Sequence, residues 1–165
     1  MSEQSSAIVS KVWGMCNPLR DDGVSYGDYL EQLTYLIFLK MSDEYSRPPY
    51  KRETGIPEGF TWADMHTLKG TELEEQYKAT LEKLGEQGGI LGKIFKGATN
   101  KISSAAILYR VVQMIDNERW VAMSSDVKGE IYEGLLQKNA EDIKLPESLE
   151  FFKDTSMSVS IVMGV

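Results

Sequence analysis

The sequence predicts an all-α protein, a compact bundle of five or six helices with an irregular or strand-like C-terminal tail. Apolar residues recur at spacings of three and four in several segments, which is the period of a helix with one buried face. Glycines and prolines separate these segments, and no internal repeat occurs, so a bundle is favoured over a repeat array. With 165 residues, 42% hydrophobic and 26% charged, the chain has the size and composition of one globular domain.

The segment Gly23–Tyr45 carries the strongest helix signals and is the predicted centre of the bundle. Ser25 stands at an N-cap position and Asp28 follows three residues later, so the helix is expected to begin near Tyr26. Apolar side chains cover one face and much of the opposite one, which indicates neighbours on several sides. These side chains are Tyr29, Leu30, Leu33, Tyr35, Leu36, Ile37, Phe38, Leu39 and Met41. A membrane span is the competing interpretation, but the apolar run is shorter than the roughly 20 residues that a bilayer requires.

The first half of the chain contains two further predictable segments. A helix over Ser5–Cys16 is expected to end at Asn17, because the residue before a proline is pushed towards extended geometry. Leu19–Val24 is therefore predicted to be a short connection. Arg47–Phe60 contains three prolines and two glycines, which predicts a long loop.

Beyond this loop, periodic apolar residues predict the remaining helices of the bundle. The predicted segments are a short helix with Phe60, Trp62, Met65 and Leu68 on its apolar face, a helix over Glu72–Leu84, one or two short turns over 90–102, a helix over Ser104–Asn117, and a final helix capped by Asp126.

The last stretch of the chain does not have a helical pattern. Met157, Val159, Ile161 and Met163 occur at every second position, which is the period of a strand. A lone strand has no partner within an all-helical domain. It is expected to pair with another molecule, to lie against helices or to stay disordered. The chain is accordingly divided into a helical domain, residues 1–144, and an atypical tail, residues 145–165.

Five segments carry a family resemblance. They read CNPLRDDGVSYGDYLEQLTYLIFLKMSDE, IPEGFTWADM, IFKGATNKI, VVQMIDNERW and DVKGEIYEGLLQKNAEDIK, in that order. Together they resemble the N-terminal helical domain of the modification (M) subunit of type I restriction–modification DNA methyltransferases, over about Val9–Lys144. The resemblance implies a domain that helps to clamp double-stranded DNA and that contacts the specificity subunit and a second M subunit. It also implies a full-length subunit that transfers methyl from S-adenosylmethionine to an adenine amine.

The catalytic motifs of that family do not occur in this sequence. Arg47-Pro48-Pro49-Tyr50 is similar to the Asn/Asp-Pro-Pro-aromatic signature of amino-group methyltransferases, but arginine donates hydrogen bonds and cannot accept those of a target amine. We interpret these residues as a structural connection. No glycine-rich turn follows a buried strand to hold the cofactor. The chain is therefore predicted to have no catalytic or cofactor-binding residues and to be inactive alone. It is either a truncated or rearranged M subunit, or the N-terminal region followed by foreign residues.

Other side chains with possible chemistry have simple structural interpretations. His66 is the only histidine and Cys16 the only cysteine, whereas a structural zinc site needs four ligands, so no metal site is predicted. Cys16 is interpreted as core filler. Five aromatic residues of the central helix are interpreted as core, with a stacking platform for bases as the alternative. They are Tyr26, Tyr29, Tyr35, Phe38 and Tyr45.

The formal net charge of −7 argues against a domain that grips DNA phosphates over its whole surface. A positive bias occurs over Gly92–Arg110, which contains no carboxylate. The candidate DNA-phosphate contacts are Lys93, Lys96, Lys101 and Arg110, and the alternative is a solvated face. Two functions stay open: a DNA-clamping and subunit-assembly domain, or a helical protein–protein interaction domain without DNA contact. A single cysteine and the lack of a secretion signal predict a cytoplasmic location.

Overall fold

The computed structural model of the chain describes residues 2–138, which form eight α-helices and no strand. The helices are α1 (Glu3–Gly14), α2 (Cys16–Asp21), α3 (Tyr26–Ser46), α4 (Trp62–Met65), α5 (Gly70–Gly85), α6 (Gly89–Phe95), α7 (Ala105–Asp116) and α8 (Ser125–Lys138). The predicted all-α class is confirmed. The predicted tail, residues 145–165, and the predicted domain limit at residue 144 lie outside the described residues.

Helix α3 is the centre of the bundle, as predicted. It begins at Tyr26 because the Ser25 hydroxyl accepts the backbone N–H of Asp28, at 3.1 Å between the heavy atoms. Both faces of the helix are buried, and it packs against α2, α4 and α7. Four of the five aromatic residues interpreted as core are buried, and the fifth, Tyr26, packs against the core at its edge. None of the helices within residues 2–138 is long and apolar enough to cross a membrane.

The connection predicted over Leu19–Val24 is wrong, because this stretch is helical as far as Asp21. Helix α1 ends at Gly14, and α2 begins two residues later with Pro18 as its third residue. The first-turn amides of a helix have no intrahelical acceptor, so a proline at this position breaks no hydrogen bond. The proline therefore lies inside the start of a new helix.

Helix α8 packs along α1 and closes the bundle. The predicted cap, Asp126, is wrong. The Ser124 hydroxyl accepts the backbone N–H of Val127 at 3.2 Å instead, so Asp126 lies in the first turn of the helix. The side chain of Tyr26 in α3 donates a hydrogen bond to the backbone carbonyl of Leu135 in α8 at 2.9 Å. This bond fixes the last described helix to the central one.

The long loop after α3 is held to the core by α4. Thr61 and Asp64 form a capping box, in which each side chain accepts the backbone N–H of the other residue. Trp62 is 1% exposed and donates its indole N–H to the carboxylate of Asp116 at the end of α7, at 2.7 Å. The predicted short helix is confirmed over Trp62–Met65 only, since Phe60 and Leu68 lie outside it, and its tryptophan joins α4 to α7.

The Asp116 carboxylate also lies next to His66, the only histidine of the sequence. Asp116 lies 3.4 Å from the Lys40 ammonium and 3.6 Å from Nδ1 of His66. Burial acts to raise the pKa of Asp116, but the hydrogen bond from Trp62 and the charge of Lys40 outweigh it, so the pKa is lowered. Among residues 2–138, no group of three or more histidine, cysteine or acidic side chains is placed to hold a metal ion.

Candidate nucleic-acid interface

The four predicted phosphate contacts lie on α6, on the loop that follows it and on α7. Lys93 is in the last turn of α6, Lys96 directly follows that helix, Lys101 lies in the loop and Arg110 lies in the middle of α7. All four side chains are exposed. Three of the four cations therefore lie on α6 and the loop after it, and the fourth, Arg110, lies on α7.

The loop between α6 and α7 is anchored to α3 by a buried polar network. Gln32 is fully buried; its amide N–H donates to the carbonyl of Thr99 at 2.9 Å, and its amide oxygen accepts the Tyr77 hydroxyl at 2.7 Å. Tyr77 of α5 is itself fully buried, and this burial raises the pKa of its hydroxyl well above the ordinary value. Gln32 of α3 thus connects that helix to α5 and to the loop between α6 and α7.

Aromatic packing adds to this anchor from the side of α6. The ring of Phe95, the last residue of α6, is fully buried and lies 5.2 Å from the ring of Tyr35 and 5.6 Å from that of Phe38. Both partners belong to α3. Lys93 and Lys96 flank this residue in the sequence and are therefore presented from a fixed backbone. Gln32 was not among the residues predicted from the sequence, although a glutamine amid apolar helix positions is a signal of a buried polar contact.

Lys101 differs from the other candidates because carboxylates already hold it. Its ammonium lies 3.2 Å from the Asp28 carboxylate and 3.8 Å from that of Glu31. The hydrogen bond with Asp28 raises the pKa of Lys101. By contrast, Lys93 and Arg110 form no ion pair with any residue of the described part of the chain, and the same is true of Lys96. A phosphate near this loop therefore meets Lys93 and Lys96 as uncompensated charges.

An acidic cleft borders the other side of this loop. It has a volume of about 390 Å³ and lies between α5 and the backbone of residues 98–100. Glu74, Glu75 and Glu82 line it, with Lys78 as the one cation of its wall. A DNA backbone is repelled along this cleft, because its phosphates carry the same charge as the three glutamates.

The Arg47-Pro48-Pro49-Tyr50 motif lies in the loop that directly follows α3. Both guanidinium contacts of Arg47 go to the Asp43 carboxylate one turn earlier, at 2.9 and 3.3 Å. A second group of cations, Lys51 and Arg52, follows Tyr50 directly and was not predicted. The signal was present in the sequence, because RPPYKR contains three cations in six residues and no carboxylate.

The fold places the chain among all-α domains that are built around a buried central helix and carry no strand within the described residues. The chain belongs to the family of the HsdM N-terminal domain, whose family model matches residues 8–115. The resemblance to type I M subunits that was stated from the sequence is therefore confirmed.

Individual relatives agree with this assignment. The chain is 34% identical over 142 residues to the methylase subunits of the type I restriction enzymes StySPI of Salmonella potsdam and EcoKI of Escherichia coli K12. These matches cover 83% of this chain and 26% of each relative, so the chain spans about a quarter of the length of the curated relatives it matches. A crystal structure of the EcoKI M protein is similar with a TM-score of 0.58 and 23% identity, over 88% of this chain and 35% of that chain. This likeness shows a shared fold.

Proposed function

We propose that this chain is the DNA-clamping and subunit-assembly domain of a type I restriction–modification adenine-specific DNA methyltransferase subunit, without the catalytic domain. Family membership and the similarity to methylase subunits support this proposal. In the full-length subunit, S-adenosylmethionine supplies the methyl group and is bound outside the segment described above. The partners are the specificity subunit, a second M subunit and double-stranded DNA, in the cytoplasm.

The observation that carries the DNA contact is the anchored loop with two uncompensated lysines. Lys93 and Lys96 are exposed and flank the buried Phe95, while Gln32 holds the following backbone at Thr99. Because the backbone that carries them is already ordered, contact with a phosphate costs the side-chain freedom of the two lysines but no further ordering of the loop. Such contacts orient the duplex but carry no sequence information. Sequence recognition therefore belongs to another subunit.

Lys101 has a smaller part in this proposal than Lys93 and Lys96. Its ammonium is shared with Asp28 and Glu31, so a phosphate must compete with two carboxylates. We expect Lys101 to hold the loop against the start of α3 and to contribute little to DNA affinity. Arg110 is uncompensated and lies on α7, so it contributes only where the duplex also reaches that helix.

A helical protein–protein interaction domain without DNA contact is the second candidate. The net charge of −7 and the acidic cleft favour it, because both oppose a polyanion and suit a basic protein surface. The two candidates differ in what Lys93 and Lys96 do. Under the second candidate, removal of these charges leaves DNA binding by the assembled complex unchanged.

The test replaces Lys93→Gln and Lys96→Gln in the subunit and assembles it with its specificity subunit. The logarithm of DNA affinity is then measured against the logarithm of salt concentration. Each lost phosphate contact lowers the slope by about 0.9, so the double variant is expected to lose about 1.8, equally on specific and non-specific DNA. Lys78→Gln is the control for each single substitution, because it removes one positive charge from the acidic cleft. An unchanged slope in the double variant contradicts the DNA contact and favours the interaction domain.

A further inference from the structure

The end of α3 and the loop that follows it carry a cluster of aromatic and cationic side chains, Tyr45, Tyr50, Lys51 and Arg52. The two tyrosine rings meet edge to face, with 5.3 Å between their centroids. The guanidinium carbon of Arg52 lies 4.9 Å from the centroid of Tyr45 and 5.9 Å from that of Tyr50. Tyr50 is 42% exposed, and no other large hydrophobic side chain is exposed among those whose burial the structure describes. The cluster thus presents an aromatic ring to solvent beside two cations.

The backbone of this cluster is held in a defined shape. The N–H of Lys51 donates to the carbonyl of Arg47, and the N–H of Arg52 donates to that of Tyr45, each at 2.9 Å. Lys51 has a φ of 48°, in the left-handed region that side-chain-bearing residues rarely adopt. Glycine or asparagine fits this position with less strain. Strained residues of this kind concentrate at functional sites, so a lysine at this position points to a use for its charge.

The charges of the cluster are uncompensated. Arg47 is occupied by Asp43, but Lys51 and Arg52 form no ion pair with any other residue between positions 2 and 138. The hydroxyl of Tyr50 likewise makes no hydrogen bond within this range. No carboxylate occurs from Tyr45 to Arg52 in the sequence. Tyr50 and Lys51 are therefore exposed donors without an acceptor, and the half-buried Arg52 guanidinium beside them contacts aromatic rings but no carboxylate.

We infer that this cluster is a second DNA-backbone contact, in which Tyr50, Lys51 and Arg52 bind phosphate groups of the duplex. All three groups are donors to which a phosphate oxygen is the matching acceptor. A protein partner fits less well, because a stable interface buries about 800 Å² on each side around apolar anchors. Tyr50 is the one exposed large apolar side chain near this cluster among those whose burial is described, and it cannot supply such an area alone. The inference rests on the proposed function and adds a contact site to it.

The experiment measures binding of the 165-residue chain to a short duplex of arbitrary sequence, by fluorescence anisotropy over a series of low salt concentrations. Lys51→Asn removes the charge and tolerates the left-handed backbone, so the fold is retained and the melting temperature does not fall. The expected result is weaker binding and a salt slope lower by about 1. Lys51→Arg restores the parent slope, and Lys78→Gln, which removes the same charge from the acidic cleft, leaves the slope unchanged.

Three results would overturn the inference. In the first, the parent chain binds no duplex at the lowest salt. In the second, Lys51→Asn binds with the parent affinity and slope. In the third, Lys51→Asn retains duplex binding but loses binding of a polyglutamate peptide, which makes the cluster a protein-docking surface.

The double variant Lys93→Gln, Lys96→Gln is measured in the same series. If it lowers the slope while Lys51→Asn does not, the second contact is wrong and the proposed clamp loop stands. If only Lys51→Asn lowers the slope, the second contact stands and the location of the clamp on the α6–α7 loop is wrong.

Discussion

Replacement of Gln32 by leucine tests the network that positions the α6–α7 loop. The two side chains have similar volume, so Gln32→Leu removes hydrogen bonds without opening a large cavity. Two groups lose their partner, the hydroxyl of Tyr77 and the carbonyl of Thr99. Tyr77 is fully buried, so its hydroxyl has no access to water, whereas Thr99 is an exposed residue. The cost is therefore expected to come mainly from Tyr77.

The loss of stability in Gln32→Leu can be estimated from the burial of the Tyr77 hydroxyl and the exposure of Thr99. A buried polar group without a partner costs about 1–3 kcal/mol, and a hydrogen bond whose carbonyl can be hydrated contributes about 0.5–1.5 kcal/mol. We expect Gln32→Leu to lower the free energy of unfolding by about 2–4 kcal/mol. Adding Tyr77→Phe removes the orphaned hydroxyl, so the double variant is expected to be about 1–2 kcal/mol more stable than the sum of the single variants predicts.

Urea denaturation of the parent chain, Gln32→Leu, Tyr77→Phe and the double variant is followed by tryptophan fluorescence. The midpoint and slope of each transition give the free energy of unfolding, and hence both the cost of Gln32→Leu and the departure from additivity. Amide exchange of residues 96–102 gives the second reading, because the loop loses protection when Thr99 is released. Additive costs for the two substitutions, or a loss below about 0.5 kcal/mol for Gln32→Leu, would show that the buried network does not hold the loop.

Three further predictions concern the core, the cofactor and the response to acid. Leu33→Ala in α3 removes a side chain that is 1% exposed and is expected to cost about 2–5 kcal/mol in denaturant melts; a loss below about 0.5 kcal/mol contradicts the central position of α3. The isolated chain is expected not to bind S-adenosylmethionine, and calorimetry that finds one-to-one micromolar binding would refute this. The folded pKa of Asp116 is lowered, so its stabilising contribution is complete above the unfolded pKa of about 3.9 and is lost as pH falls towards the folded value. Asp116→Asn should therefore flatten the acid limb of stability against pH, and an unchanged acid limb contradicts this role.

Local signals in the sequence were sufficient to predict the central helix. A cap at Ser25 and the spacing of apolar residues depend on neighbours within one or two turns, so the start at Tyr26 was correct. Local rules failed where two of them competed. Pro18 was interpreted as the end of one helix, but a proline is also compatible with the first turn of the next. Ser124 and Asp126 are both residues that cap helices, and only the folded chain distinguishes them.

The candidate interface was predictable in composition but not in geometry. The absence of carboxylates over Gly92–Arg110 is visible in the sequence, but the pairing of Lys101 with Asp28 joins residues 73 positions apart. The same limit applies to Gln32 and Thr99, which are 67 positions apart. Contacts of this separation depend on how the helices pack, so a sequence pattern identifies the cations but not which of them are already paired.

Photocrosslinking from the α6–α7 loop tests the DNA contact most directly. Lys96→Cys introduces an exposed thiol for an azide reagent, while Cys16 is 6% exposed and burial raises the pKa of its thiol to about 11, so it reacts slowly. Lys78→Cys places the same group in the acidic cleft as the matched control. In the complex with the specificity subunit and duplex DNA, we expect a crosslink to DNA from position 96 and none from position 78. Crosslinks from position 96 to protein alone, or equal yields from both positions, would show that the α6–α7 loop does not contact DNA.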